Sequence, residues 1–296
     1  MSRHRSLPSN WNWLLVIPSG LLLAWGLCFL NATGFDGLYG QDPYSYYNYA
    51  LGPLRDSLLR LQGPPSYFWP PGFPLLILLA SSLAGPTPLA GQLVSLFSGA
   101  LVPLATGLLA SQIWPGSNDR WPLVPLIAAG SMAVVGQLWQ SSMVVMSDTA
   151  GLAAATIGIC ALARYGRHAQ PRLPWLFAGT AAIASAVLIR WAYALVAVPA
   201  LGYVLWLLAR MTWPKRLLHA GCLRIVGRCF LAVAPQEFRP FVTDPGRWLG
   251  CLQPGAADLA AGKASVTPAA HLDLQDSVIS RQLKLAGRSR PQLSWA

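Results

Sequence analysis

Long apolar segments separated by short polar loops are the feature that most constrains this sequence. A helix that crosses a hydrocarbon core about 30 Å thick needs roughly 17 to 25 apolar residues. Six segments reach or approach that length: 11–30, 89–113, 122–143, 148–163, 175–189 and 191–209. Only 10% of the residues are charged, whereas soluble domains carry roughly a quarter. The sequence therefore predicts an all-α, polytopic transmembrane helix bundle.

Segment 72–84 leaves the number of spans open between six and seven. Its 13 residues are too few to cross comfortably, which favours a re-entrant or interfacial piece. If it does not cross, the basic residues near the ends of the spans all lie on the cytoplasmic side. They are Arg3, Arg5, Arg120, Arg164, Arg167, Arg172, Arg210, Lys215 and Arg216. If it does cross, everything from Arg120 onward moves outside, against the positive-inside rule. The charge pattern therefore favours six spans, and a seventh is the alternative.

The N-terminus resembles the charged start of a signal peptide, because Arg3 and Arg5 precede the first apolar segment. That segment is too long for a typical signal core and further spans follow, so we expect an uncleaved anchor. Residues 1–10 then form a cytoplasmic N-terminus. We expect a multi-pass protein of the cell membrane, plasma or inner, whose first long loop faces outward.

Charge divides the chain near Pro214. Residues 1–214 contain ten Arg, no Lys and five Asp, whereas the last 82 residues contain eleven Lys or Arg and five acids. We therefore predict a membrane domain at 11–213 and a basic, poorly ordered tail at 214–296. In a soluble protein the formal net charge of +11 would suggest a nucleic-acid partner. Because half of the cations lie between apolar segments, we expect membrane lipids as partners and no nucleic acid.

Few side chains are available for chemistry. Glu occurs once, at Glu237, so a carboxylate catalyst in the membrane domain must be an Asp. The five Cys and four His are scattered without C-x-x-C or metal-ligand spacing. No disulfide framework, metal site or cofactor is therefore predicted.

The segment 31–71 predicts a long first loop on the outer side. It contains three of the five acids of the membrane domain and six of the nine Tyr of the chain, and long loops are commonly functional. Asp42 followed by Pro43 predicts the start of a helix with Asp42 as its cap. A helix over 44–61 then follows on the membrane surface, with one apolar face. That face consists of Tyr46, Tyr49, Leu54, Leu58 and Leu61.

Four sequence features occur in an order that points to a family. The first loop carries D-x-x-x-Y-x-x-x-A at 42–50 (DPYSYYNYA) and WPPGFPLL at 69–76. Ser147 and Asp148 open a later apolar helix, and Arg190 ends the following span. In this order and spacing, residues 10 to 212 resemble the GT-C superfamily of integral membrane glycosyltransferases. The region is most similar to the branch containing the protein O-mannosyltransferases and the lipid A aminoarabinose transferase.

The resemblance implies a hexosyl- or pentosyltransferase. Such an enzyme takes a sugar from a polyprenyl phosphate carrier and passes it to a lipid, protein or glycan acceptor at the outer face. It implies Asp42 as the base that accepts the proton of the acceptor hydroxyl, with helix capping as the alternative role. Asp148 would orient the acceptor or help to bind a divalent metal, or else cap its helix. Arg190 would bind the carrier phosphate, whose oxygens match the guanidinium group, and snorkelling to the interface is the alternative.

Other loop residues are weaker candidates for substrate binding. Tyr46 and Tyr49 are expected to stack on a sugar ring or clasp the isoprenoid, although an aromatic belt is the commoner role of such residues. Arg55 is a weaker candidate, since Arg on a surface helix commonly meets lipid headgroups.

The sequence departs from the family after Trp213. Members usually continue with further spans, often followed by a soluble outer domain, so we expect a C-terminally truncated or frame-shifted chain. The alternative functions are a non-catalytic fragment that keeps the fold, and a transport or lipid-handling membrane protein. Transport predicts polar residues along a path through the spans. Asp148 and Arg190 are nearly the only charges there, and both lie toward one side, which favours chemistry at the outer surface.

Overall fold

The computed structural model describes residues 12–65, 67–114, 123–167 and 172–233, and most of them are helical. No β-strand occurs in these four ranges, which confirms the all-α prediction. The first six α-helices are α1 (Val16–Thr33), α2 (Gln41–Tyr49), α3 (Arg55–Leu59), α4 (Gly72–Ala84), α5 (Pro88–Ile113) and α6 (Leu123–Ala133). The remaining helices are α7 (Gly136–Met143), α8 (Ser147–Arg167), α9 (Leu173–Ile189), α10 (Ala194–Ala209) and α11 (Trp213–Val233).

Three helical segments are long and apolar enough to cross a membrane: Trp13–Thr33, Pro88–Ile113 and Trp191–Ala209. Helices α6 and α7 are bent by 56° relative to each other, and they make a fourth span if they are counted together as one broken helix. The bend falls at Val135, whose backbone is extended. Helix α9 is apolar but has only 17 residues. These findings support a membrane protein, while the count of six spans stays a prediction.

Helix α5 is the centre of the bundle, because it packs against α1, α4, α6, α7 and α8. Near its start, Gln92 donates hydrogen bonds to the carbonyls of Phe35 at 2.8 Å and Met143 at 3.3 Å. The beginning of the first loop, the end of α7 and the start of α5 therefore lie at one end of the bundle. We call this the loop end.

Helices α8 and α9 approach each other closely through glycine. A Cβ added to Gly158 would lie 3.0 Å from the carbonyl oxygen of Gly179. Small residues at such crossings let two backbones pack tightly where lipid provides no hydrophobic driving force. This contact fixes the start of α8 relative to the end of α9, and both carry predicted site residues.

The short helix α4 begins and ends at the loop end. At its start, a Cβ added to Gly72 would lie 2.5 Å from the carbonyl oxygen of Leu188. Just after its end, the carbonyl of Pro86 accepts a hydrogen bond of 2.9 Å from the Tyr47 hydroxyl. Contacts at both ends of α4 therefore lie near the loop end.

The predicted helix of the first loop is present, but its start differs from the prediction. Helix α2 begins at Gln41, after Gly40 with φ of 85°, and no side chain caps it. The prediction of Asp42 as the N-cap is therefore wrong, because Asp42 already lies within the first helical turn. Gly40 supplies the turn instead, since its positive φ is open to glycine without steric cost.

The apolar face of this loop helix is also interrupted. The π-helical turn Ala50–Leu54, which contains Pro53, separates α2 from α3. Proline lacks a backbone N–H, and a wider turn shifts the phase of the following residues. Leu54 is consequently still buried, whereas Leu58 and Leu61 are exposed. The predicted single face therefore ends at the π turn.

Helix α11 occupies the first part of the predicted tail. Residues 214–233 belong to this helix and pack against α9, so the prediction of poor order is wrong for them. The reason is a stripe of buried side chains at helical spacing, namely His219, Cys222 and Val226. The rest of the tail, the N-terminal residues 1–10 and Arg120 lie outside the described residues.

Candidate functional site

Three separate segments meet at the loop end: α2, the start of α8 and the junction between α9 and α10. The hydroxyls of Tyr46 and Ser147 share a hydrogen bond of 3.1 Å. Arg190, directly after α9, forms an ion pair with Asp148. The charges of Asp42, Asp148 and Arg190 all act on the pKa of the Tyr46 hydroxyl. The structure thus brings four of the predicted site residues into one cluster.

Arg190 is held by one of its guanidinium nitrogens. Nη1 lies 2.5 Å from Oδ1 of Asp148 and 3.5 Å from Oγ of Ser147. The two charged side chains are 32% and 31% exposed, so water screens the pair and its net stabilisation is about 0 to 1 kcal/mol. Within the described part of the chain, Asp148 and Ser147 are the partners of this guanidinium group. A guanidinium group has five N–H donors, so donors remain for an anion such as a phosphate.

Asp42 presents a carboxylate without a structural partner in the described part of the chain. It is half-buried in the first turn of α2, and it forms no capping bond, other hydrogen bond or ion pair with a described residue. Burial is the main cause of the raised pKa values of Tyr46 and Tyr67, and the negative charge of Asp42 adds to both. Because Asp42 does not cap the helix, its carboxylate is free to accept a proton.

Tyr46 fixes the first loop against the bundle. Its side chain is 1% exposed, and its ring centroid lies 6.0 Å from that of Trp69 and 5.2 Å from that of Phe73. A ring buried in this way offers no face to a sugar, so the predicted stacking of Tyr46 on a substrate does not fit. The residue instead positions α2, and with it Asp42, beside the start of α8.

The WPPGFPLL motif, residues 69–76, packs against the same cluster. Trp69 and Phe73 pack against Tyr46, and Gly72 lies against the backbone of Leu188, two residues before Arg190. Any side chain at position 72 would displace backbone atoms rather than a flexible side chain. The motif therefore connects α2 to the segment that carries Arg190.

Tyr49 and Arg55 lie outside the cluster around Arg190. Tyr49 is 6% exposed, stacks on Tyr67 with 3.9 Å between ring centroids, and donates a hydrogen bond to the carbonyl of Pro65. It stabilises the loop, and its ring is not free to stack on a substrate. Arg55 is exposed and lines a groove of about 550 Å³ between α3 and α4. No residue of the Arg190 cluster lines that groove.

Sequence reasoning missed the contribution of Tyr193. Its hydroxyl donates a hydrogen bond of 3.1 Å to the backbone carbonyl of Asp148, and its ring packs against Gly151. Tyr193 follows Arg190 by one short 3₁₀ turn, Trp191–Tyr193. An aromatic residue at this place is typical of an interfacial belt, so the sequence contains no separate signal for its role.

Comparisons with known proteins do not identify the chain further. Models of protein families, curated proteins and solved structures give no match. Within the described ranges, no group of three or more His, Cys, Asp or Glu side chains could hold a metal ion.

The bond between Tyr46 and Ser147 is expected to contribute measurably to folding. Tyr46→Phe keeps the ring and removes this hydrogen bond, so we expect a loss of about 1 kcal/mol in the free energy of unfolding. Tyr44→Phe is the matched control, because Tyr44 is exposed and its hydroxyl forms no hydrogen bond with a described residue. Thermal unfolding in the same lipid measures both. Equal melting temperatures for Tyr46→Phe and the wild type would contradict the assigned role.

The stacked pair Tyr49 and Tyr67 is expected to make stability depend on alkaline pH. Burial is the largest cause that raises the pKa of each to about 12, from 10.0. Between pH 10 and 12 the unfolded chain loses protons that the folded chain keeps, so stability is full below pH 10 and falls above it. Thermal unfolding from pH 8 to 12 measures this. Replacing both residues by Phe should flatten the decline, and replacing the exposed Tyr39 and Tyr44 should not.

Proposed function

We propose that this chain is a membrane glycosyltransferase that acts at one face of the bilayer. In this proposal it transfers a sugar from a polyprenyl phosphate carrier to a hydroxyl of a lipid, protein or glycan acceptor. The observation that carries the proposal is the convergence at the loop end of two groups: the Asp42 carboxylate, which pairs with no described residue, and the Arg190 guanidinium group. The resemblance of residues 10 to 212 to the GT-C superfamily agrees with it.

The proposed reaction needs one base and one phosphate partner. The acceptor hydroxyl attacks the anomeric carbon of the sugar, and its proton passes to the Asp42 carboxylate. The new bond joins the acceptor oxygen to that carbon, while the bond from the carbon to the phosphate oxygen breaks. The electron pair leaves with the phosphate, whose added charge is stabilised by the Arg190 guanidinium. No cofactor is required by this scheme.

Asp148 has a positioning role in the proposal. It binds Nη1 of Arg190 and so fixes the position of the guanidinium group. Ser147 and Tyr46 extend this contact to α2. The base and the phosphate partner are thereby held on one framework, which is what transfer between two bound substrates needs.

We further propose six spans, with α4 at the outer surface. The shared location of both ends of α4 supports this topology, and the basic residues of the short loops then lie on the cytoplasmic side. Cysteines introduced one at a time at exposed loop positions, such as Tyr39 and Leu61, test it by labelling with an impermeant thiol reagent in intact cells. We expect labelling from outside. Labelling from the cytoplasm alone would overturn the proposed orientation.

The distribution of charge favours surface chemistry over transport. The described acids are Asp36, Asp42, Asp56 and Asp148. Three belong to the first loop and the fourth opens α8 beside it. A transport path would instead need polar or charged groups at several depths of the bundle.

Transfer itself is tested with the full chain in lipid bilayers. The donors are polyprenyl phosphates that carry a hexose or an aminopentose, offered with a panel of hydroxyl acceptors. We expect release of free polyprenyl phosphate together with the glycosylated acceptor from one donor. If the folded chain consumes none of these donors, the proposed function is wrong and a non-catalytic role takes its place.

A further inference from the structure

The end of the bundle opposite the Asp148–Arg190 pair carries a separate set of cations. It is built from the last turns of α8 and α10 and the first turns of α9 and α11. The described basic residues there are Arg164, Arg167, Arg172, Arg210, Lys215 and Arg216. None of the four described acids lies on these helix ends. Within the described residues, this surface therefore has an excess of positive charge.

Two of these arginines are held in a form that suits phosphate binding. Arg164 lies over the ring of Trp175, with Cζ 4.5 Å from the centroid, and Arg210 lies over Trp206 at 3.7 Å. Stacking uses the flat face of the guanidinium group and leaves its N–H groups pointing outward in the plane. Neither arginine forms a hydrogen bond or ion pair with a described residue. Both side chains are exposed.

Arg216 has a different role, although it also lies near a tryptophan. Its Nε and Nη2 atoms donate hydrogen bonds to the carbonyls of Leu208, Ala209 and Met211, at 3.1, 2.9 and 3.2 Å. These carbonyls lie at or just after the end of α10, so Arg216 caps that helix. Because Arg216 uses most of its hydrogen-bonding groups within the protein, it serves as a control for Arg164 and Arg210, which do not.

The two free arginines belong to one rim. Tyr165 follows Arg164 directly and Met211 follows Arg210 directly, and the Tyr165 hydroxyl lies 3.8 Å from the Met211 sulfur. The helices that carry them expose apolar side chains, such as Leu205 at 53% and Trp206 at 49% on α10. A ligand for this rim must therefore combine an anionic head with an apolar body beside it.

We propose that Arg164 and Arg210 each bind the headgroup of an anionic phospholipid, in the leaflet opposite the candidate catalytic site. Each arginine donates hydrogen bonds from its outward N–H groups to a lipid phosphate. The acyl chains lie along the exposed apolar surface of α10. Trp175 and Trp206 hold the two guanidinium groups at headgroup depth, where tryptophan is typically found. This site does not depend on the proposed glycosyl transfer.

The test compares lipid binding by two matched double variants of the full chain. Each is reconstituted in phosphatidylcholine bilayers with a small fraction of spin-labelled phosphatidylglycerol, and its association is measured relative to spin-labelled phosphatidylcholine. We expect the wild type to prefer phosphatidylglycerol. In the variant that combines Arg164→Gln and Arg210→Gln, each substitution should weaken that preference by about fivefold. If the wild-type preference is smaller than this, the variant should show none. Arg167→Gln with Arg172→Gln, two exposed arginines at the same end of the bundle that stack on no described ring, should weaken it less.

Two further measurements separate lipid binding from stability and from diffuse attraction. Arg216→Gln should lower the melting temperature while keeping the lipid preference. Added inorganic phosphate should not displace the labelled lipid in the wild type; full displacement would mean a site for free phosphate and overturn the lipid assignment. The proposal is also wrong if the Arg164 and Arg210 double variant keeps the full preference, or if both double variants lose it equally.

Discussion

Replacing Asp42 by Asn is expected to abolish sugar transfer, with a loss of roughly 100- to 10,000-fold in kcat. The amide has almost the shape of the carboxylate but cannot accept the proton of the acceptor hydroxyl. The structure makes this substitution informative, because Asp42 caps no helix and pairs with no described residue. The loss of its charge should therefore leave folding and membrane insertion intact.

Asp56→Asn is the matched control for this prediction. Asp56 lies in the same loop at the start of α3 and is exposed, so its substitution should change transfer less than twofold. Both variants are compared in the same lipid by the rate at which free polyprenyl phosphate is released. Full activity of Asp42→Asn would remove Asp42 as the base. Equal losses for both variants would point to a general effect of loop charge.

Replacing Arg190 by Gln is expected to raise the KM for the lipid-linked donor by roughly 10- to 150-fold. This range corresponds to the loss of hydrogen bonds to a charged group, about 1.5 to 3 kcal/mol. Because the arginine also stabilises the charge that develops on the leaving phosphate, we expect kcat to fall as well.

The effect of Arg190→Gln should be confined to the donor. The KM for the acceptor should not change, because the acceptor is bound through other groups. Arg60→Gln, an exposed arginine of the same loop, is expected to leave both KM values unchanged. A raised KM for the acceptor with an unchanged KM for the donor would contradict the assignment of Arg190 to the phosphate.

The helices were predictable from the sequence where apolar residues form long uninterrupted runs. Helix α4 has the bounds of the predicted segment 72–84, because Pro71 and Gly85 flank a run whose only polar residues are Ser81 and Ser82. The break between α6 and α7 was not predictable, since Val134 and Val135 are as apolar as their neighbours. Helix α11 was missed because its arginines interrupt the apolar sequence, and only a narrow stripe of its side chains is buried.

In the first loop, the presence of a helix was predictable from the sequence, but its start and its buried face were not. Its helical character follows from residue spacing, but the helix begins at Gln41 because Gly40 adopts a positive φ. The π turn at Ala50–Leu54 likewise moves Leu58 away from the buried face, which a constant helical period does not anticipate.

The candidate site was predictable as a set of residues but not as a geometry. Asp42, Asp148 and Arg190 stand out because charges are rare in this part of the chain. The pairing of Arg190 with Asp148 depends on the glycine crossing of α8 and α9. The burial of Tyr46 depends on the later WPPGFPLL motif. Neither contact between distant segments has a signal in residue spacing.

The location of the donor phosphate tests the central claim most directly. A polyprenyl phosphate with a photoreactive group next to the phosphate is crosslinked to the full chain in bilayers, and the modified peptides are identified by mass spectrometry. We expect crosslinks in α2 near Asp42, at the start of α8 near Asp148, and around Arg190, and we expect unlabelled donor to suppress them. Crosslinks confined to the opposite end of the bundle, near Arg164 and Arg210, would contradict the assignment of the loop end as the donor site.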